Sequence, residues 1–171
     1  MKCIKQKIWI IACLLSVPAV AQTVHVDSDR IAYRNTVTVD NTGQLQLFFR
    51  AQKAIADYVA QQPALIKTDA LNNEMSAQGS IRLTSPYHMI KTLLYTIKLS
   101  VRDGAYEYQI DSVYLKQEER GGSTKLISSR ELLKGMDVSG EASWITEKQL
   151  NEIDMNLQKL LALVKGEMKK A

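Results

Sequence analysis

Chemistry in this chain of 171 residues would have to come from very few side chains, among them two histidines, His25 and His88. His88 precedes an alternating, strand-like segment. With Asp111 or Glu107 converging on it, or Glu74 from a neighbouring strand, it could move a proton and so serve a hydrolase. The simpler reading is a solvated imidazole at a strand edge. Asp27-Ser28-Asp29 opens like a calcium loop but lacks the central glycine and the late glutamate that complete such a ligand shell. Gly121-Gly122-Ser123-Thr124-Lys125 has the composition of a phosphate loop without its spacing or its strand-to-helix setting. There is no Gly-x-Ser-x-Gly elbow and no His-Glu-x-x-His pair. The expectation is therefore a protein without catalytic residues, cofactor or metal. Tyr106, Tyr108 and Tyr114 suggest an aromatic platform for a sugar or lipid, but the strand register discussed below turns the first two inward.

The N-terminus reads as a secretory signal peptide over residues 1–21. Lys2, Lys5 and Lys7 precede the apolar run Ile8 to Val17, and Ala19 and Ala21 are the small residues a signal peptidase selects, so the mature chain is expected to begin at Gln22. Ile10-Ile11-Ala12-Cys13 resembles a lipoprotein box. The run before Cys13 is short and hydrophobicity continues beyond it, so cleavage is the preferred reading over a lipid tether. Residues 1–21 carry three lysines and no acid, so removing them brings the 22 basic and 18 acidic residues close to balance. The basic character is then no argument for nucleic acid or an anionic membrane. Both cysteines leave with the same segment, so the mature domain must rest on an apolar core. No other run is long and apolar enough for a transmembrane helix.

After a flexible leader, 22–30, residues 31–171 read as one α+β domain. Ile31, Tyr33, Asn35, Val37 and Val39 alternate as a first strand. Asp40-Asn41-Thr42-Gly43 supplies turn and cap residues for a helix running from about Gly43 to Gln61, with Leu45, Phe48, Phe49, Gln52, Ile55, Ala56 and Val59 as its apolar stripe. Strands follow near 65–70 and 74–83, joined at Asn72-Asn73, with Gly79 marking a bulge or a close approach of another backbone. Asp103-Gly104 is a preferred pair for a type I′ hairpin. If Arg102 faces Ala105, then Val101, Leu99 and Ile97 meet Tyr106, Tyr108 and Ile110 on a dry face. On the wet face Ser100, Lys98 and Thr96 meet Glu107, Gln109 and Asp111. Residues 117–143 read as a long polar loop holding a short helix at 129–134, boxed by Ser128 and Glu131. A final helix is expected from Thr146, capped there with Gln149 and stapled by Ile145 and Leu150, with the stripe Leu150, Ile153, Leu157, Leu160, Leu161, Val164 and Met168. The order is β-α-β-β-β-β-α: a five-stranded, mainly antiparallel sheet with two helices on one face.

The helix Leu45 to Val59 after the Asp40 to Gly43 turn, the Gly79 strand, and the Tyr95 to Tyr114 hairpin with Gly104-Ala105-Tyr106-Glu107-Tyr108 form one pattern with the closing amphipathic helix. It resembles a family of exported bacterial proteins that share a domain of unknown function with a TATA-binding-protein-like fold. The resemblance implies that fold and supplies no activity, so no functional residues are carried over. A TATA-binding protein needs a basic saddle and apolar wedges. The expected wet face here mixes Lys98 and Arg102 with Glu107 and Asp111, so nucleic acid is not expected as a partner.

The sequence thus points to an exported, non-catalytic binding or interaction module of the periplasm or cell envelope, its partner an envelope protein or a small ligand. One candidate site is a pocket between sheet and helices lined by Tyr108, Ile97 and Leu157. The other is the 117–143 loop with Glu118, Glu119, Arg120 and Lys125. The competing classes are a periplasmic hydrolase built on His88 with Asp111 or Glu107, and a structural subunit of an envelope assembly. The oligomeric state is left open.

Overall fold

The alternating residues around Asp103-Gly104 form the two longest strands among the described residues, and they lie at the centre of the main sheet. The computed structural model describes residues 26–27, 29–59, 65–83, 91–118, 122–134 and 141–170. In chain order the elements are β1 (Val26–Asp27), β2 (Arg30–Ile31), β3 (Tyr33–Thr38), α1 (Gln44–Tyr58), β4 (Ile66–Asp69) and β5 (Glu74–Leu83). They continue with β6 (Lys91–Arg102), β7 (Ala105–Glu118), β8 (Thr124–Ser128), α2 (Ser129–Lys134) and α3 (Glu141–Met168). The main sheet is antiparallel in the order β3-β7-β6-β5-β4, and β8 continues along β7 where β3 leaves off. The expected α+β class and the expected β6–β7 register are both present, from Arg102↔Ala105 through Thr96↔Asp111.

Beyond Thr96 the register changes. Leu94 pairs with Tyr114 and Thr96 with Asp111, so Ser112 and Val113 together face Tyr95. This β-bulge is carried by Ser112, whose φ of +52° lies in the left-handed region, a conformation costing a serine roughly 1 kcal/mol. Its effect is a change of parity. Tyr106, Tyr108 and Ile110 are buried on one side of the bulge, and Val113 and Leu115 on the other. Without the extra residue Tyr114 and Lys116 would turn into the core and Val113 and Leu115 into water.

The turn itself departs from the expected type. Gly104 is left-handed at φ +67°, but Asp103 is not, so this is not a type I′ turn. The reason is that the turn is tied to the start of α1. The Gln44 N–H donates to the Asp103 carboxylate at 2.8 Å, and the Gly104 N–H donates to the Thr42 carbonyl at 3.0 Å. Val39 N–H in turn donates to the Gly104 carbonyl at 2.8 Å. Gly43, the N-cap of α1, has no side chain, and the carboxylate of Asp103 satisfies the helix from another element.

Both long helices lie on the dry face, but α1 is rotated from its expected stripe. Leu47, Ala51, Ala54 and Ile55 are buried, while Leu45 and Phe49 point outward. Two overlapping i, i+4 stripes compete on this helix, and the one carrying two alanines lets it pack close to the sheet. On α3 the expected stripe from Leu150 to Met168 is buried throughout. That helix begins at Glu141, so Thr146 lies inside it and the expected cap there is overturned; Glu141 and Ala142 are good helix formers that extend it upstream. The Tyr33 hydroxyl donates to Asp154 Oδ1 at 2.5 Å in the interior, joining the first sheet strand to the last helix. At the other end Arg50 Nη1 donates to the Met168 carbonyl at 3.1 Å, and Lys53 pairs with Glu167 at 3.2 Å.

Among the described residues the sheet has six strands against the five expected, and the leader, expected to be flexible, contributes to the small β1–β2 pair. The extra sheet strand, β8, lies within the segment read as a loop. Residues 124–128 pair with Glu118 back to Tyr114, and Ile127 sits opposite Leu115, half-buried on the core side. The short helix is where it was expected: the Ser128 N–H donates to Glu131 Oε2 at 2.7 Å, and the Glu131 N–H to Ser128 Oγ at 3.3 Å.

Gly79 is explained by a side chain. It faces Tyr95 across the sheet, and a Cβ built on it would overlap Cζ and Oη of the Tyr95 ring. The ring covers the strand where the glycine leaves space. Tyr95 is itself buried, so Gly79→Ala is expected to cost about 1–3 kcal/mol by overpacking, and the added change Tyr95→Leu to recover most of it. Urea unfolding of the two variants checks this, and an unchanged midpoint for Gly79→Ala would contradict the packing described.

Candidate functional site

The wet face of the sheet is mostly polar, its apolar residues being Leu126 on β8, opposite Lys116, and a group beside the bulge. Even-numbered positions of β6 point away from the helices, and among Thr92, Leu94, Thr96, Lys98 and Ser100 only Leu94 is apolar. Its partner across the strands is Tyr114, placed on this face by the parity change at Ser112 and 43% exposed. On the other side Leu94 meets Ser80 of β5, and Leu65, 37% exposed, lies just before β4. Together these residues bound a groove of about 490 Å³. Leu65, Leu94 and Tyr114 give it apolar surface, and Gln78, Ser80, Thr96 and Ser112 give it amide and hydroxyl groups. Gly79 and Tyr95 complete the lining; the Tyr95 ring is buried against Gly79, and that burial pushes its phenol up to about 12.

None of these lining residues is charged. Elsewhere on the face Lys98 pairs with Glu74 at 2.6 Å, Arg34 with Glu107 at 2.5 Å, and Lys116 with Glu118 at 3.7 Å. The hydrogen bond from Lys98 holds the Glu74 carboxyl below its usual range. Asp111 accepts from Gln109 Nε2 at 3.1 Å and from the Ser112 hydroxyl at 3.0 Å, so it helps to hold the bulge. Among the described residues no three His, Cys, Asp or Glu side chains gather as a metal site would require.

The residues singled out from the sequence are distributed differently. Tyr108, Ile97 and Leu157 come together, but as members of the packed core, at 5%, 0% and 0% exposure. The Lys165 ammonium lies 4.8 Å from the Tyr108 ring centroid, a cation–π contact at the core's margin. Glu118 ends β7 and Lys125 lies on β8, so both stand on adjacent strands rather than on a loop. Glu119, Arg120 and His88 lie outside the described residues. Glu107 and Asp111 both face the wet side, engaged as above. Sequence reasoning missed Leu65, Gln78, Ser80, Leu94, Thr96 and Ser112 as a set. The available signal was two apolar residues out of phase, Leu94 beside Leu93 and Tyr114 between Val113 and Leu115.

Among the described residues the sheet is open and antiparallel, with its two long helices packed on the dry face. The chain superposes on a TBP-like protein from Parabacteroides distasonis with a TM-score of 0.70 at 12% identity, covering 86% of this chain and 98% of that one. A DUF4468 family protein from Bacteroides ovatus gives a TM-score of 0.65 at 10% identity, covering 86% and 91%. Residues 33–116 match the family model described as a domain of unknown function (DUF4468) with TBP-like fold, which places this segment in that family. The match runs from the first sheet strand through the groove to the end of the long hairpin. No curated protein matches the chain. No helix of the described residues is long and apolar enough to cross a membrane.

Proposed function

We propose that this protein is an exported, non-catalytic binding module of the bacterial cell envelope, and that it holds its ligand on the wet face of the sheet. The observation that carries the reading is the groove at the bulge: a concave site with apolar walls and a few converging polar groups, of a size ordinary for small-molecule sites. A left-handed serine in a strand persists only where the surroundings impose it, and such positions cluster at functional sites. The wet-face carboxylates support a non-catalytic role, since Glu74 and Glu107 are held by cations and Asp111 by Ser112 and Gln109. The mixture of acidic and basic side chains on this face argues against nucleic acid as the ligand. Export rests on the signal-peptide pattern of residues 1–21.

The test is native against denaturing mass spectrometry of the protein purified from an exporting cell. The expected result is an N-terminus at Gln22 and an added mass that disappears on denaturation. A protein that retains residues 1–21 overturns the export half of the proposal, and a bare native mass counts against the binding half.

A further inference from the structure

We infer that the groove on the wet face takes a neutral oligosaccharide; the inference rests on the binding-module reading above and specifies its ligand. The lining is the ground for it. Hydroxyls of Ser80 and Thr96 and the amide of Gln78 each donate and accept, as sugar hydroxyls do, and the Ser112 hydroxyl, whose proton goes to Asp111, can still accept, so both directions of hydrogen bond can be satisfied. Tyr114 offers a partly exposed aromatic face beside Leu94, and a pyranose ring has an apolar C–H face to lay on such a surface.

Other ligand classes fit less well. A phosphate, sulfate or carboxylate ligand would find no cation among these residues, and an amine no acid. A wholly apolar ligand would cover the hydroxyl and amide groups without replacing their hydrogen bonds to water. An extended peptide binds most readily by adding a strand to a sheet edge, whereas here β5, β6 and β7 are paired with one another beneath the groove, and it opens on their face.

The experiment is isothermal titration of the purified protein with maltohexaose, cellohexaose, xylohexaose and N-acetylchitotetraose, with hexagalacturonate as the anionic comparison. At least one neutral probe is expected to bind with Kd below about 1 mM, and hexagalacturonate more weakly. Tyr114→Ala is expected to weaken binding about tenfold or more, and Tyr114→Phe, which keeps the ring, to retain it. Thermal melting of both variants separates lost binding from lost fold. Failure of all four neutral probes overturns the inference, as does equal binding by wild type and Tyr114→Ala. If native mass spectrometry nevertheless shows an added mass that a groove-filling Ser80→Trp change removes, the site stands and the saccharide assignment alone falls. If there is neither saccharide binding nor an added mass, both fall.

Discussion

Stability is expected to fall by about 4 kcal/mol between about pH 9 and about pH 11, because three buried tyrosines must stay neutral in the folded protein. Tyr33, Tyr95 and Tyr106 are all raised above the ordinary 10.0, in each case first by burial. Tyr33 is raised further by its hydrogen bond to Asp154, while Tyr95 and Tyr106 reach about 12. The unfolded chain begins to lose these protons near pH 10 and the folded chain does not, so the stabilisation is complete below that pH. It drains away as pH rises toward the folded values, at about 1.4 kcal/mol per unit for each tyrosine. Lys53, raised by its hydrogen bonds to Asp57 and Glu167, acts in the same sense, and Lys91, lowered by burial, in the opposite one. Urea unfolding across this range, with tyrosinate absorbance recorded in parallel, should show ionisation and unfolding together. Tyr106→Phe should reduce the slope by about a third. It should do so without loss at neutral pH, since the Tyr106 hydroxyl is buried with no hydrogen-bond partner among the described residues. A flat profile, or tyrosinate forming in a protein that stays folded, would contradict the burial described.

Trimming Leu157 to alanine is expected to cost about 3 kcal/mol, since the side chain is fully buried and its neighbours can close only part of the space. For a chain of this size the melting temperature should fall by roughly 6–12 °C. The result also decides between two roles. As a wall of a ligand pocket, Leu157 would lose ligand on truncation with little change in melting temperature. As core, it loses stability while any mass carried by the wild type remains on the folded variant.

How much was legible in the sequence follows from how local each signal is. The Asp103-Gly104 hairpin was readable because residue character alternates on both arms and only one register makes the characters agree. The α3 stripe was readable because Leu150 to Met168 presents one continuous apolar face. By contrast α1 carries two plausible stripes, and contacts with Asp103, Val101 and Met168, far away in sequence, accompany the orientation observed. Strand β8 was hidden because its partner is the tail of β7 and its own residues are mostly polar. The groove was least legible. Leu94 and Tyr114 are out of phase with their neighbours, but that they face each other depends on the bulge at Ser112, and no residue type announces it. The jump from Ile110 to Val113, breaking a spacing of two, is its trace in the sequence.

A ligand held on the wet face occupies the groove rather than the core. The most direct test is native mass spectrometry of the wild type and Ser80→Trp, purified side by side from the exporting cell. The expected result is an added mass on the wild type that Ser80→Trp lacks while melting normally. A bare wild type, or an added mass that Ser80→Trp retains, would contradict it.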